Sequence, residues 1–240
     1  RLPCAGTQPY LGHMLTAEID VVGEKLLLSP YKALYWPRKR WLMVSDAHLG
    51  KAAHFRKAGL PLPDVHDDVL LDRLSWLMNE YGAERLVVLG DLFHSAYNSS
   101  WDLFTLWMFR QRFEVHLVLG NHDVLADRRY LDAGLKLHDE ILLEGPFALA
   151  HEPRSVKDHY TLSGHIHPGV VLSGLGKQHL RLPCFWFAPE QAVLPAFGTA
   201  TGLFVIEPAS TDRCFAVTER SVVDVSGIHG EQRTQRGNRQ

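Results

Sequence analysis

Three short apolar runs, each followed at once by polar residues, set the tightest limit on how this chain can fold. They are Trp41-Leu42-Met43-Val44, Leu86-Val87-Val88-Leu89 and Val115-His116-Leu117-Val118-Leu119. Runs of four or five residues with almost no polar alternation read as strands buried on both faces. Between them, Val65 to Tyr81 repeats apolar residues at helical spacing and closes at Gly82, and Trp101 to Arg112 is helical again. A βαβαβ order of this kind demands a parallel sheet covered by helices.

From about residue 135 the pattern turns strand-rich: Ile141 to Leu143, Phe147 to Ala150, Tyr160 to Ser163, Val170 to Leu172, Phe185 to Phe187 and Leu203 to Ile206. The expected fold is therefore mixed α/β, with a second set of strands beside the first. The 240 residues, 46% of them apolar, suffice for one large core. We expect a single domain over residues 1–226 and a disordered polar tail over 227–240, where Arg233, Arg236 and Arg239 fall. No apolar run reaches membrane-span length, and Arg1-Leu2-Pro3-Cys4 lacks a signal-peptide profile. Cys4, Cys184 and Cys214 have neither disulfide-framework nor metal-ligand spacing, so a cytoplasmic protein is expected. A net charge of −2 excludes a polycation that coats nucleic acid by bulk charge.

The polar residues that end the strands carry the chemistry. Asp46-x-His48, Gly90-Asp91, Gly120-Asn121-His122-Asp123, His151 and Gly164-His165-x-His167 each fall at or just past a strand's carboxyl end. Ligand sites of open α/β sheets gather there. Any one of these groups has an ordinary explanation as a cap, a turn or a packed histidine. Five in succession do not. Imidazoles, carboxylates and a carboxamide together suit first-row divalent metals, and an aspartate can bridge two of them. Gly90, Gly120 and Gly164 fit turns where backbone must approach the site closely.

The same residues, in the same order from 46 to 167, resemble the calcineurin-like metallophosphoesterases. That resemblance implies a four-layer αββα sandwich of two mixed sheets. It also divides the ligands: Asp46, His48 and His167 for one metal, Asn121, His151 and His165 for the other, with Asp91 shared. The implied cofactors are two divalent ions, manganese first, with iron or zinc also able to use this set. A pair of cations about 3.5–4 Å apart activates water and clamps phosphate oxygens. His122, whose neighbour Asn121 is a ligand, then reads as the acid for the leaving oxygen or as a donor to the phosphorane-like transition state. Asp123 would orient and charge its ring, or cap a helix over Val124 to Asp132.

Gly90-Asp91-Leu92-Phe93-His94 further resembles double-strand-break-repair nucleases, which makes His94 a candidate substrate contact. Ser45 to Pro63, His151-Glu-Pro-Arg154 and Arg181 to Trp186 resemble the bacterial ligase-associated DNA damage response endonucleases. This implies a manganese-dependent phosphodiesterase acting on DNA and linked with a ligase, a helicase and an exonuclease. Lys51, Arg56, Lys57 and Arg154 follow ligands directly and could hold flanking phosphates. Phe55 and Trp186 could stack bases, which would favour a single-stranded substrate, although by residue type Trp186 reads better as a core aromatic. The competing readings are a small-molecule phosphoesterase of the same family (nucleotide-lipid pyrophosphate or cyclic-nucleotide diester), a protein phosphatase, and a metal-bound scaffold.

Overall fold

A computed structural model describes residues 15–51, 67–95, 100–174, 179–199 and 201–227. The chain opens with an antiparallel meander: β1 (Ala17–Val21), β2 (Glu24–Leu28) and β3 (Leu34–Trp36), the last pairing with β4 (Trp41–Val44). Beyond β4 the pairing is parallel through β5 (Arg85–Leu89), β6 (Glu114–Val118) and β7 (Lys136–His138), which completes a seven-stranded mixed sheet.

The apolar runs are continuous because each strand feeds two cores. Trp41 and Met43 of β4, with Val87 and Leu89 of β5, enter the core between the two sheets. Leu42, Val44, Leu86 and Val88 point the other way, onto the helices. Those helices are α1 (Asp67–Glu80), α2 (Trp101–Phe109) and α3 (Asp127–Asp132). α1 buries Leu70, Leu71, Leu74, Leu77 and Met78, one stripe of a 3.6-residue period. It stops at Gly82, whose φ of +56° lets the Ala83 amide turn back to the Met78 carbonyl. α2 ends three residues before the expected Arg112, because the amides of Arg110 and Gln111 close a tighter turn onto Trp107 and Met108.

The second sheet comprises β8 (Ile141–Glu144), β9 (Phe147–Ala150), β10 (Tyr160–Ser163), β11 (Pro168–Ser173), β12 (His179–Phe187), β13 (Gln191–Val193), β14 (Phe204–Val205), β15 (Arg213–Val217) and β16 (Val222–Asp224). Within it β9, β10 and β13 run parallel, and the remaining pairs are antiparallel except β11 with β14. Phe147, Leu149, Leu162, Phe185 and Phe215 meet the first sheet across the shared core. On the far face Val170, Cys184, Ile206, Cys214 and Ala216 form a smaller cluster, with no helix over it among the described residues. The two mixed sheets expected from the sequence are present, and each buried Val, Leu or Phe contributes roughly 1.5–3 kcal/mol.

One seam matters for function. The amides of Phe197 and Gly198 bond the carbonyls of Ser45 and Asp46 at 2.8 and 3.1 Å. They lock the loop after β13 to the loop after β4, so the carboxyl ends of parallel strands from both sheets open on one edge. No helix among the described residues is long and apolar enough to cross a membrane.

Candidate metal centre

Every expected ligand sits where its strand ends. Asp46 follows β4, Asp91 follows β5, Asn121 follows β6, His151 follows β9 and His165 follows β10. Two clusters form. Asp46, His48 and His167 make one and Asp91, His151 and His165 the other, with the donor atoms of each within 4.8 Å of one another. His48 Nε2 lies 3.4 Å from His167 Nε2 and 3.8 Å from Asp91 Oδ2, while Asp91 Oδ1 lies 3.5 Å from His151 Nε2. Asp91 thus stands between the clusters with one oxygen toward each. Asn121 Oδ1 joins the second at 3.0 Å from His151 Nε2.

The backbone is bent to achieve this. Asp46, His48, Asp91, His165 and His167 all adopt left-handed φ, between 48° and 70°. Such residues cost on the order of 1–3 kcal/mol each and persist where the surroundings over-determine them. The three glycines are required by contact as well as by turn geometry. A Cβ would lie 2.2 Å from His151 Nδ1 at Gly90, 2.3 Å from Asp91 Oδ1 at Gly120, and 2.4 Å from the Ser45 Cβ at Gly164.

The donor set fits cations. His151 Nδ1 lies 2.9 Å from the Leu89 carbonyl, which can only accept, so Nδ1 carries the hydrogen. Its Nε2 lone pair then faces the Asn121 oxygen and His165 Nδ1, both at 3.0 Å. Acceptors gathered so closely need a proton or a cation among them. Asp46 Oδ1 is buried, meets no well-aligned hydrogen-bond donor among the described residues, and lies 3.2 Å from His167 Nε2. Burial drives His48 down to about 3, so its ring is neutral and free to ligate. Burial raises Asp91 despite His151 and the His122 amide. Asp46 is held below the ordinary value because His167 and His151 outweigh its burial. Metals would complete this balance.

His122 lies beside the clusters, not in them. Its amide donates to Asp91 Oδ1 and its Nδ1 lies 2.9 Å from the His94 carbonyl. Its ring stacks on that of His94, centroids 5.4 Å apart, and meets His48 edge-on at 5.3 Å. The role expected of Asp123 needs correction. A backbone carbonyl orients His122, while the buried Asp123 carboxylate takes the amides of Gly120 and Phe93 at 3.0 and 3.3 Å. It therefore ties the loops after β5 and β6 together. Burial raises it to about 7. Nor is it a helix cap, since α3 begins at Asp127 with Ala126 before it.

The proposed phosphate contacts divide. Lys51 is near the carboxylates: Asp46 and Asp91 both act on it, although burial is the stronger influence and lowers its pKa. Arg154 is engaged by Glu140 at 3.0 Å. Trp186 donates to Asp212 at 2.8 Å from a part-buried position, as a structural aromatic would. Arg56, Lys57 and Phe55 lie outside the described residues. At the same edge, and not marked by any motif, Lys32 of the β2–β3 turn reaches the Gly198 carbonyl at 3.3 Å, and Arg73 of α1 packs its guanidinium against Phe197.

Comparison with known proteins agrees with this geometry. The calcineurin-like phosphoesterase family profile matches residues 40–190. The crystal structure of the nuclease MPE of Pseudomonas putida is 35% identical, with a TM-score of 0.76 over 88% of this chain and 100% of that one. A phosphoesterase from E. coli, YfcE, is 15% identical with a TM-score of 0.41, over 78% of this chain and 98% of its own. No curated protein matches the chain. With the strand-end ligands in two clusters and the family profile spanning them, this chain belongs to the calcineurin-like phosphoesterases and is a metal-dependent phosphoesterase.

Proposed function

We propose that this chain is a manganese-dependent nuclease that hydrolyses phosphodiester bonds of DNA, preferring single strands, in DNA repair. The observation that carries this reading is the likeness to a nuclease over that protein's whole length. Asp46, His48 and His167 would hold one metal, and Asn121, His151 and His165 the other, with Asp91 placed to serve both. When bound, the metals supply an activated water and neutralise phosphate charge.

The chain's own residues do the rest. His94, through its carbonyl, keeps the hydrogen of His122 on Nδ1 and fixes the ring. His122 Nε2 donates a proton to the leaving oxygen. The His94 ring stacked on it contacts the substrate. Lys51 holds a phosphate oxygen beside the scissile group. A single strand bends onto fixed metals more readily than a duplex. A cytoplasmic setting and association with a ligase, a helicase and an exonuclease belong to the same proposal.

The test is cleavage of labelled single-stranded and duplex DNA with manganese, beside bis-p-nitrophenyl phosphate. The strand should be cut faster than the duplex, and DNA cleavage should fall with salt more steeply than diester hydrolysis. Turnover of the small diester with no DNA cleavage under any salt condition would refute the nuclease reading.

A further inference from the structure

Lys32 and Arg73 bring two positive charges together on the edge of the sheet that carries the metal ligands. Lys32 lies in the β2–β3 turn, at a left-handed φ of 61°. Because Leu34 pairs with Met43, this turn is at the same end of the sheet as Asp46. Lys32 Nζ reaches the Gly198 carbonyl at 3.3 Å. Arg73, on α1, places its guanidinium 5.4 Å from the Phe197 ring and 6.0 Å from the Tyr31 ring. Its Nε is buried with no hydrogen-bond partner among the described residues.

Both side chains are half-buried, and neither makes an ion pair among the described residues. Burial chiefly, and then Arg73, lowers Lys32 to about 8. Like charges that have lost part of their hydration repel each other, and no carboxylate among the described residues pairs with either. An anion arriving between them would gain charge-assisted hydrogen bonds from both.

Position indicates which anion. The Gly198 amide is bonded to the Asp46 carbonyl, and further along the same loop the Phe204 amide is bonded to the His167 carbonyl at 3.0 Å. Gly198, which Lys32 grips, is therefore tied to Asp46, a residue of the first cluster. We propose that Lys32 and Arg73 form an anion subsite that holds a non-scissile phosphate of the nucleic-acid strand beside the Asp46–His48–His167 cluster. This rests on the nuclease reading above. Free inorganic phosphate offers the same oxygens, and the test separates the two sources.

Lys32→Gln and Arg73→Gln are made in the full chain and assayed with manganese on a single-stranded oligonucleotide and on bis-p-nitrophenyl phosphate. The small diester has no second phosphate. Each variant should lower the oligonucleotide-to-diester ratio of kcat/KM about tenfold, the scale of one charge-assisted hydrogen bond. The salt slope for the oligonucleotide should fall by about 0.7, one single-strand phosphate contact. A neutral methylphosphonate next to the cut should weaken the wild type by the same factor and Lys32→Gln no further. Thermal melting identifies a misfolded variant, and if Arg73→Gln is one, Lys32→Gln decides alone.

Equal losses on both substrates, or no loss on either, would overturn the subsite. So would weaker inhibition by inorganic phosphate at an unchanged substrate ratio, which assigns the cations to free phosphate. A wild type that hydrolyses the diester but cuts no DNA refutes the nuclease reading itself, and the subsite with it.

Discussion

Gly90 and Gly23 share almost the same backbone, at φ of +77° and +81°, but have opposite surroundings. An added Cβ at Gly23 meets nothing within 4 Å, whereas at Gly90 it lies 2.2, 2.4 and 2.7 Å from Nδ1, Cγ and Cβ of His151. Gly23→Ala thus reports the left-handed penalty alone, about 1 kcal/mol. Gly90→Ala carries that penalty and must also displace a buried imidazole. Moving the ring breaks its bond to the Leu89 carbonyl, a buried hydrogen bond worth about 1–3 kcal/mol. The total should be about 2–4 kcal/mol. At roughly 2–4 °C per kcal/mol for a chain of this size, melting should drop about 5–15 °C, against about 3 °C for Gly23→Ala. Displacing His151 should also weaken manganese at the second cluster about 10–100-fold, as loss of a ligand's orientation does elsewhere. Calorimetric melting of the metal-free proteins and titration with manganese measure both effects. If Gly90→Ala melts with Gly23→Ala and binds metal as tightly as the wild type, the collision argument is wrong.

Asp91→Ala should remove most bound metal from both clusters and abolish turnover, because one carboxylate faces each; metal analysis after gel filtration checks this. His122→Ala should keep both metals yet lose roughly 10²–10⁴-fold in rate on DNA. Its loss on nitrophenyl diesters should be smaller, since nitrophenolate leaves without a proton; equal losses would point to transition-state binding instead. His116, beside His138 at 2.9 Å, is drawn down to about 4 by burial. A depressed folded pKa gives stability that is present above pH 6.5 and lost as the pH falls through 4. His116→Phe should therefore flatten the acid limb of a melting-against-pH curve, by on the order of 2 kcal/mol between pH 6.5 and 4.

The metal centre was legible because its chemistry interrupts apolar strands abruptly. Asp46, Asp91, Asn121, His151 and His165 each break a buried run, and a buried run fixes where its own end lies. The N-terminal meander was not legible: β1 to β3 are three to five residues long, and Glu24, a buried acid held by Trp36 and Arg38, obscures the alternation. The role of Asp123 was misread because adjacency to His122 in sequence suggests contact. In space the two side chains diverge, one to a carbonyl and the other to amides. Lys32 and Arg73 carry no local signal at all, since only the packing of a turn, a helix and the loop at Gly198 brings them together. The left-handed ligand residues are likewise invisible in a string of letters, because aspartate and histidine rarely adopt that backbone without surroundings that force it.

Each of the two clusters draws on both sheets. Asp46 and His48 come from the seven-stranded sheet and His167 from the other; Asp91 comes from the first, and His151 and His165 from the second. Occupied clusters would act as two rivets through a laminate. The layers could not slide or part without stripping ligands from both ions, so catalytic competence and mechanical integrity would share the same bonds. Each ion would add stability that grows with the logarithm of its free concentration above its dissociation constant. Metal supply would then set how long the folded chain survives as well as how fast it works.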